Sequence, residues 1–259
     1  MADELIEALR RGKLPAVRAA IKVDPEKARH ARAVVEAGRL AFREAFALLQ
    51  KNGADLNAIW RGYRPLHALL QEDPHAAAGK PTSERLACLD WLLQHGADLK
   101  AKTKSWNHDV DAMYFAASSK NKALFELFLD RGGDPTEALV HALWSPGEEF
   151  AELALAHGAE PDRAVAEGKP LLNHLIQWGQ IKPALWLLAR GASPNIADSK
   201  QGWTAAHQAA SRGNARMMHA VLDAGADLAR RDKQGHTPPA IAKLTGRAKL
   251  MEMINTFTG

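Results

Sequence analysis

Histidine is prominent among the residues that could do chemistry, with eleven copies in 259 residues. Two of them, His141 and His174, stand 33 residues apart, and a repeat of that length would bring them together as an imidazole pair able to bind a metal or small ligand. No third ligand accompanies them, so neither a metal nor a cofactor is expected. Catalysis would need a nucleophile with its base, a carboxylate pair or a phosphate loop. The chain contains no Gly-x-Ser-x-Gly, Gly-x-x-x-x-Gly-Lys-Ser/Thr, His-Glu-x-x-His or Gly-x-Gly-x-x-Gly, the spacings that build a nucleophile elbow, a phosphate cradle, a zinc site and a dinucleotide turn. The one cysteine, Cys88, lies in LACLDWLL and reads as a buried, inert thiol. An enzyme is not expected.

A recurring glycine marks the elements that would position these residues. In residues 202–232, Thr204 and His207 start a short helix, and Ala209 and Ala210 run along its packed side. Gly213 turns the chain into a second helix with Met217, Met218, Val221 and Leu222, which Gly225 closes. Glycine does this by taking the left-handed conformation at little steric cost. The Gly-Ala-Asp-Leu ending recurs at Gly53 and Gly96, and looser copies stand at Gly132, Gly158 and Gly191. Gly235 follows Gly202 by 33 residues. With RPLHALL at 64–70 and the Thr204/His207 start, the pattern resembles the ankyrin repeat, whose signature is Thr-Pro-Leu-His-x-Ala before a helix pair. Ala205-Ala206 replaces Pro-Leu in the clearest copy, and Asn173 stands where the sixth unit should have its histidine.

The resemblance implies an all-α ankyrin-repeat solenoid of stacked helix-turn-helix units with short β-turn fingers, covering 1–259 as a single domain. Residues 1–25 read as the N-terminal cap, 26–231 as six internal repeats and 232–259 as the C-terminal cap. An insertion is expected near 71–86, where Pro74, Gly79 and Pro81 fall, and a shortened repeat near 134–161, with most of its finger missing and the array weakened between 130 and 165. It also implies that His67, Thr204 and His207 are structural, with the histidines tying repeats together. A propeller or TIM barrel is disfavoured by the shortage of strand alternation.

In this family partners lie along the concave side, made by finger tips and inner-helix ends. Projected onto the sequence, the fingers hold Trp60, Arg61, Tyr63, Trp106, His108, Lys200 and Trp203. The inner-helix ends hold Trp144, Trp178 and Arg212. Five of the seven tryptophans therefore fall on the expected surface, while Trp91 and Trp186 sit among leucines and read as core. Tryptophan, tyrosine and arginine dominate binding energy at protein interfaces, so the function expected is a non-catalytic module, an adaptor, inhibitor or regulator, binding a protein partner.

Nucleic acid is the rival partner, with aromatics for stacking and Arg61, Arg64, Lys169, Lys200, Arg212 and Lys233 for phosphates. Asp109, Asp111, Glu137 and Glu167 interrupt that groove, and this reading is disfavoured. The net charge of +4 is spread over 34 basic and 30 acidic residues without a run of one sign. A small hydrophobic ligand near Trp144 and Trp178 is a further alternative, as is a metal or small ligand at His141 and His174. With a single cysteine and no apolar stretch of signal or membrane-spanning length, the expected protein is cytoplasmic, monomeric and free of the membrane.

Overall fold

The computed structural model describes residues 4–70, 82–105, 108–145, 147–165 and 168–258. Backbone packing divides the chain into two compact units, Met1–His141 and Ala142–Gly259.

The first unit begins with α1 (Glu4–Arg10) and α2 (Leu14–Val23), then a 3-10 turn over Pro25–Arg29. There follow α3 (Ala31–Arg39), α4 (Arg43–Lys51), α5 (Pro65–Leu70) and α6 (Thr82–Gln94). A hairpin of β1 (Thr103–Ser105) and β2 (His108–Val110) leads into α7 (Ala112–Ser118), α8 (Lys122–Asp130) and α9 (Pro135–Trp144), whose residues from Ala142 on belong to the second unit. The first helices of successive pairs, α1, α3, α5 and α7, pack on one another in order, as do the second helices α2, α4, α6 and α8. In the second unit, α10 (Glu148–Ala156) precedes α11 (Leu171–Gln177), α12 (Ile181–Leu188), α13 (Ala205–Arg212), α14 (Ala215–Asp223), α15 (Pro238–Leu244) and α16 (Ala248–Thr258). There α11, α13 and α15 form the inner row, and α12 packs on α14. Helices this short are marginal in water; packing against both neighbours in a row holds them.

Small residues set the spacing of the inner row. Ala205, Ala206, Ala209 and Ala210 are all fully buried, so the Ala-Ala pair in place of Pro-Leu leaves the helix intact. At Gly38 a Cβ would collide with the Pro65 carbonyl of α5. Larger apolar residues, Phe46, Leu49, Leu89, Leu92, Phe125 and Phe128, fill the space behind.

The six recurrent glycines adopt one conformation, with φ between 83° at Gly225 and 93° at Gly96. Four residues after three of them stands a side chain that links its repeat to the next. Asn57 Nδ2 donates to the Gly96 carbonyl at 2.9 Å, and its Oδ1 accepts from the Asp98 amide at 2.7 Å. Asn195 does the same with Gly225 at 2.9 Å and Asp227 at 2.8 Å. Asp162 accepts from the Ser193 amide at 2.8 Å.

The connection from α8 to α9 has no finger: Asp134 stands directly before α9 and its carboxylate accepts from the Thr136 amide at 2.8 Å. Most of the expected 71–86 insertion lies outside the described residues. Within its last residues α6 begins, at Thr82.

Candidate interaction surface

The first finger is a tight turn across Trp60, Arg61, Gly62 and Tyr63. Trp60 and Tyr63 exchange both backbone bonds, at 2.9 and 3.0 Å. Arg61 and Gly62 between them have φ of 50° and 80°, the pair of positive angles that a two-residue hairpin turn requires. The half-buried Trp60 ring has the Arg61 guanidinium 4.7 Å from its centroid and that of Arg32 at 5.6 Å, so two cations lie against its electron-rich faces. Tyr63 leans on Phe115 of α7 with centroids 5.8 Å apart. Trp106 lies outside the described residues. The backbone of His108 pairs with Ser105 across the β1–β2 hairpin.

In the second unit, aromatic side chains stand at the ends of inner helices. Trp144 is 41% exposed at the end of α9 and Trp178 is 61% exposed after α11. His174 lies between them, edge-on to Trp144 at 5.7 Å and tilted against Trp178 at 6.3 Å. Burial, with Lys169 nearby, pushes the His174 pKa down, which favours the neutral ring between the tryptophans. Arg212, at the end of α13, donates to the Gln177 carbonyl, and Lys169 donates to the Gln177 side chain.

Trp203 is held differently. Its Nε1 donates to Asp232 Oδ2 at 3.1 Å, and its ring stacks on His207 at 6.5 Å. Asp232 Oδ1 accepts from the Gln234 and His236 amides at 2.9 and 2.8 Å. Burial alone would raise this carboxyl's pKa; the donors outweigh it and bring the pKa down. Asp198 organises the preceding finger in the same way, its Oδ1 accepting from the Lys200, Gln201 and Gly202 amides at 3.0, 2.6 and 3.2 Å. Lys200 itself is exposed.

The signature positions divide by partner. His207 Nδ1 closes a capping box with Thr204, 2.9 Å from its hydroxyl and 3.2 Å from its amide, while Nε2 lies 3.0 Å from the His236 carbonyl of the next finger. Asn173 makes the equivalent bond one repeat earlier, donating to the Trp203 carbonyl at 2.7 Å. His67 is fully buried and stacks on Phe115 at 5.0 Å, and neither of its ring nitrogens has a hydrogen-bond partner. Burial and the charge of Arg64 bring its pKa down to about 4; the Ala101 backbone pulls weakly the other way without a bond of good geometry.

His141 sits in the first unit, edge-on to Tyr114 at 5.3 Å and 4.0 Å from Glu137, with its pKa lowered to about 4 by burial. His174 belongs to the second unit. Among the described residues no three His, Cys, Asp or Glu side chains converge as a metal site would require. Asp111 caps α7, accepting from the Met113 amide at 2.9 Å. Burial and the neighbouring charge of Glu137 raise its pKa to about 6. Cys88 is fully buried. Trp186 is buried with the Arg190 guanidinium 3.8 Å over its ring, and Trp91 is half-buried between Phe46 and His95. No helix among the described residues is long and apolar enough to cross a membrane.

The family model described as "Ankyrin repeats (many copies)" matches residues 178–222. The chain is similar to the 2-5A-dependent ribonuclease of Mus musculus, 36% identical over 32% of this chain and 11% of that protein. It is also similar to diacylglycerol kinase zeta of Rattus norvegicus, 34% identical over 39% of this chain and 11% of the kinase. The chain thus spans about a tenth of these two enzymes, and the activities in their names belong to those whole proteins. The cyclin-dependent kinase 4 inhibitor B of Homo sapiens is 30% identical over 49% of this chain and 92% of its own length. Among solved structures, the human ASB11 ankyrin repeat domain superposes with a TM-score of 0.56 at 22% identity, over 85% of this chain and 96% of that one. The fold seen in that domain, and a relative matched almost end to end, agree with six helix pairs closed by the same left-handed glycine: the chain belongs to the ankyrin-repeat family.

Proposed function

We propose that this protein is a non-catalytic interaction module, an adaptor, inhibitor or regulator that binds a protein partner through its finger tips and inner-helix ends. The observation that carries the reading is the exposure of Trp144 and Trp178, 41% and 61%, beside helix ends that have no packing need for indole. A soluble chain gains nothing from leaving such rings in water unless a partner covers them. The first finger adds Trp60, Arg61 and Tyr63, and Trp106, His108, Lys200, Trp203 and Arg212 complete the proposed contact set. Ankyrin repeats generally serve protein interaction, and the similarity to a kinase inhibitor supports a regulatory role. A rigid, preformed surface lowers the ordering cost of association. A monomer working in the cytoplasm suits a chain whose only thiol is buried.

The test is affinity capture from lysate of the source cell with wild type and a Trp144→Ala/Trp178→Ala variant, both checked for folding by circular dichroism. Recovery of one protein by wild type and its loss from the variant supports the reading. Equal recovery by both, or recovery of nucleic acid alone, sinks it.

A further inference from the structure

We propose that the first finger is a carboxylate site: a glutamate or aspartate of the protein partner binds the N–H edges of Arg61 and Arg32 beside the Trp60 ring. This rests on the interaction reading above and names the chemistry of one of its contacts. The Arg61 guanidinium lies 4.7 Å and that of Arg32 5.6 Å from the Trp60 centroid. A guanidinium held over an indole by its face keeps its in-plane donors available, and a carboxylate accepts two of them side by side. The chain holds a completed example of this arrangement. The Arg190 guanidinium lies 3.8 Å over the Trp186 ring, and its Nε donates to Glu152 Oε1 at 2.8 Å. Arg61 and Arg32 have the ring without the acid. Among the described residues neither makes an ion pair or a hydrogen bond, and Arg32 Nε is buried without an acceptor.

The acids of the adjoining elements are engaged elsewhere. Glu36, one turn after Arg32 on α3, lies 2.5 Å from Arg10, and its second oxygen makes no bond to Arg32. Glu26 pairs with Arg29 at 2.8 Å. Asp55 accepts from the Asn57 amide at 2.8 Å and Asp98 from the Lys100 amide at 2.9 Å. Asp109, in the next finger, is likewise engaged. The finger precedes α5, and the undescribed residues that carry Glu72 and Asp73 follow it. Arg64 directs its donors to the carbonyls of Asn57 and Lys102, so it adds charge to this end of the unit without an acid of its own. The turn itself does not call for arginine. Arg61 is exposed, with φ of 50°, at a position where glycine, asparagine and aspartate are the favoured residues. Its guanidinium therefore serves the ring and the ligand and not the backbone, and an anionic partner group is the complement that fits.

The full-length protein, isotope-labelled, would be titrated by NMR with a short synthetic peptide carrying paired glutamates, its glutamine and phosphoserine counterparts, and single-stranded oligothymidylate. The expected result is that the glutamate peptide shifts the Trp60 indole signal and the amides of Arg61 and Gly62. Its affinity should exceed the glutamine peptide's by about tenfold or more at low salt. Arg61→Gly suits the turn, so it should keep or raise Tm while cutting the glutamate preference several-fold. Arg61→Lys, with the charge but not the planar fork, should fall between it and wild type. Arg61→Gly/Arg32→Gln should abolish the preference. Equal binding of the glutamate and glutamine peptides, no shift up to about 1 mM, the weak end of measurable affinity, or an undiminished preference in Arg61→Gly overturns the proposal, as does tighter binding of the phosphoserine peptide or the oligonucleotide. A partner captured through Trp144 and Trp178 but indifferent to the double arginine substitution would leave the interaction reading standing and remove this one.

Discussion

His67 and His207 share a sequence position and should behave oppositely when replaced. Leucine at 207 strips the capping box from α13 and leaves the Thr204 amide and the His236 carbonyl without a buried partner. The expected loss in urea denaturation is about 2–3 kcal/mol. Leucine at 67 removes two nitrogens that already lack partners and keeps an apolar surface for Phe115, so stability should stay within about 1 kcal/mol of wild type. His67 also carries a pH signature. A histidine whose folded pKa is lowered to about 4 contributes stability above its ordinary value near 6.5, and that stability drains away as pH falls from there towards 4. His67→Leu should flatten this part of the Tm–pH profile, and an unchanged profile would contradict the assignment. Asp111 works with the opposite sign. Its folded pKa, raised to about 6, makes its charge a cost that grows as pH rises from 3.8 through 6. Asp111→Asn keeps the helix cap, since asparagine caps as well as aspartate. It should raise stability at pH 7.5 by about 1 kcal/mol and confer no gain at pH 4.

Among the elements, the closing glycines were the most legible feature because their conformation is local. Six positions in similar tetrapeptides adopt φ within 83–93°, and each could be read without knowing what packs beside it. The links between repeats were not legible in that way. Asn57, Asp162 and Asn195 each stand four residues past a closing glycine, a signal present in the chain. Their importance comes from an amide or carbonyl about thirty or more residues away that only folding brings near. Asn173 likewise looked like a departure from the signature, yet it makes the bond that histidine makes one repeat later. Of the expected surface, the tryptophan positions were legible and their exposure was not: Trp203 is tied to Asp232, whereas Trp144 and Trp178 stand open. Gly38 tests the packing of the inner row. It sits inside α3, where alanine would ordinarily favour the helix, but its missing Cβ is where the Pro65 backbone passes. Gly38→Ala should therefore destabilise, by about 2 kcal/mol or more. A stabilised variant would show that α3 and α5 are not so closely packed.

At the scale of the whole molecule, stability in a repeat protein is a sum of units and the interfaces each makes with its neighbours, so a unit stripped of connecting parts should open first. The pair α9–α10 is that unit. No finger precedes it, since Asp134 leads straight into α9. The division between the two compact units falls within its first helix, after His141. Gly147, with φ of 120°, stands before α10 in place of a side chain that could cap it. Beyond the Glu152–Arg190 ion pair, its finger supplies one bond from Asp162 to Ser193, where Asn195 supplies two to the following repeat. The α11–α14 pairs, by contrast, bury the apolar residues of their inner helices, and have Asn173 and His207 bonds into the next finger and Asn214 capping α14 by accepting from the Met217 amide at 2.9 Å. Local opening energy follows buried contacts and such bonds. Amides of residues 148–158 should therefore exchange with solvent deuterium faster than those of 205–223, by about tenfold or more for a difference of roughly 1.4 kcal/mol. The order should persist in Trp144→Ala/Trp178→Ala, because those rings are exposed and hold little of the fold. Uniform protection from α9 to α14 would mean that neither the missing finger nor the reduced finger bonding weakens the array.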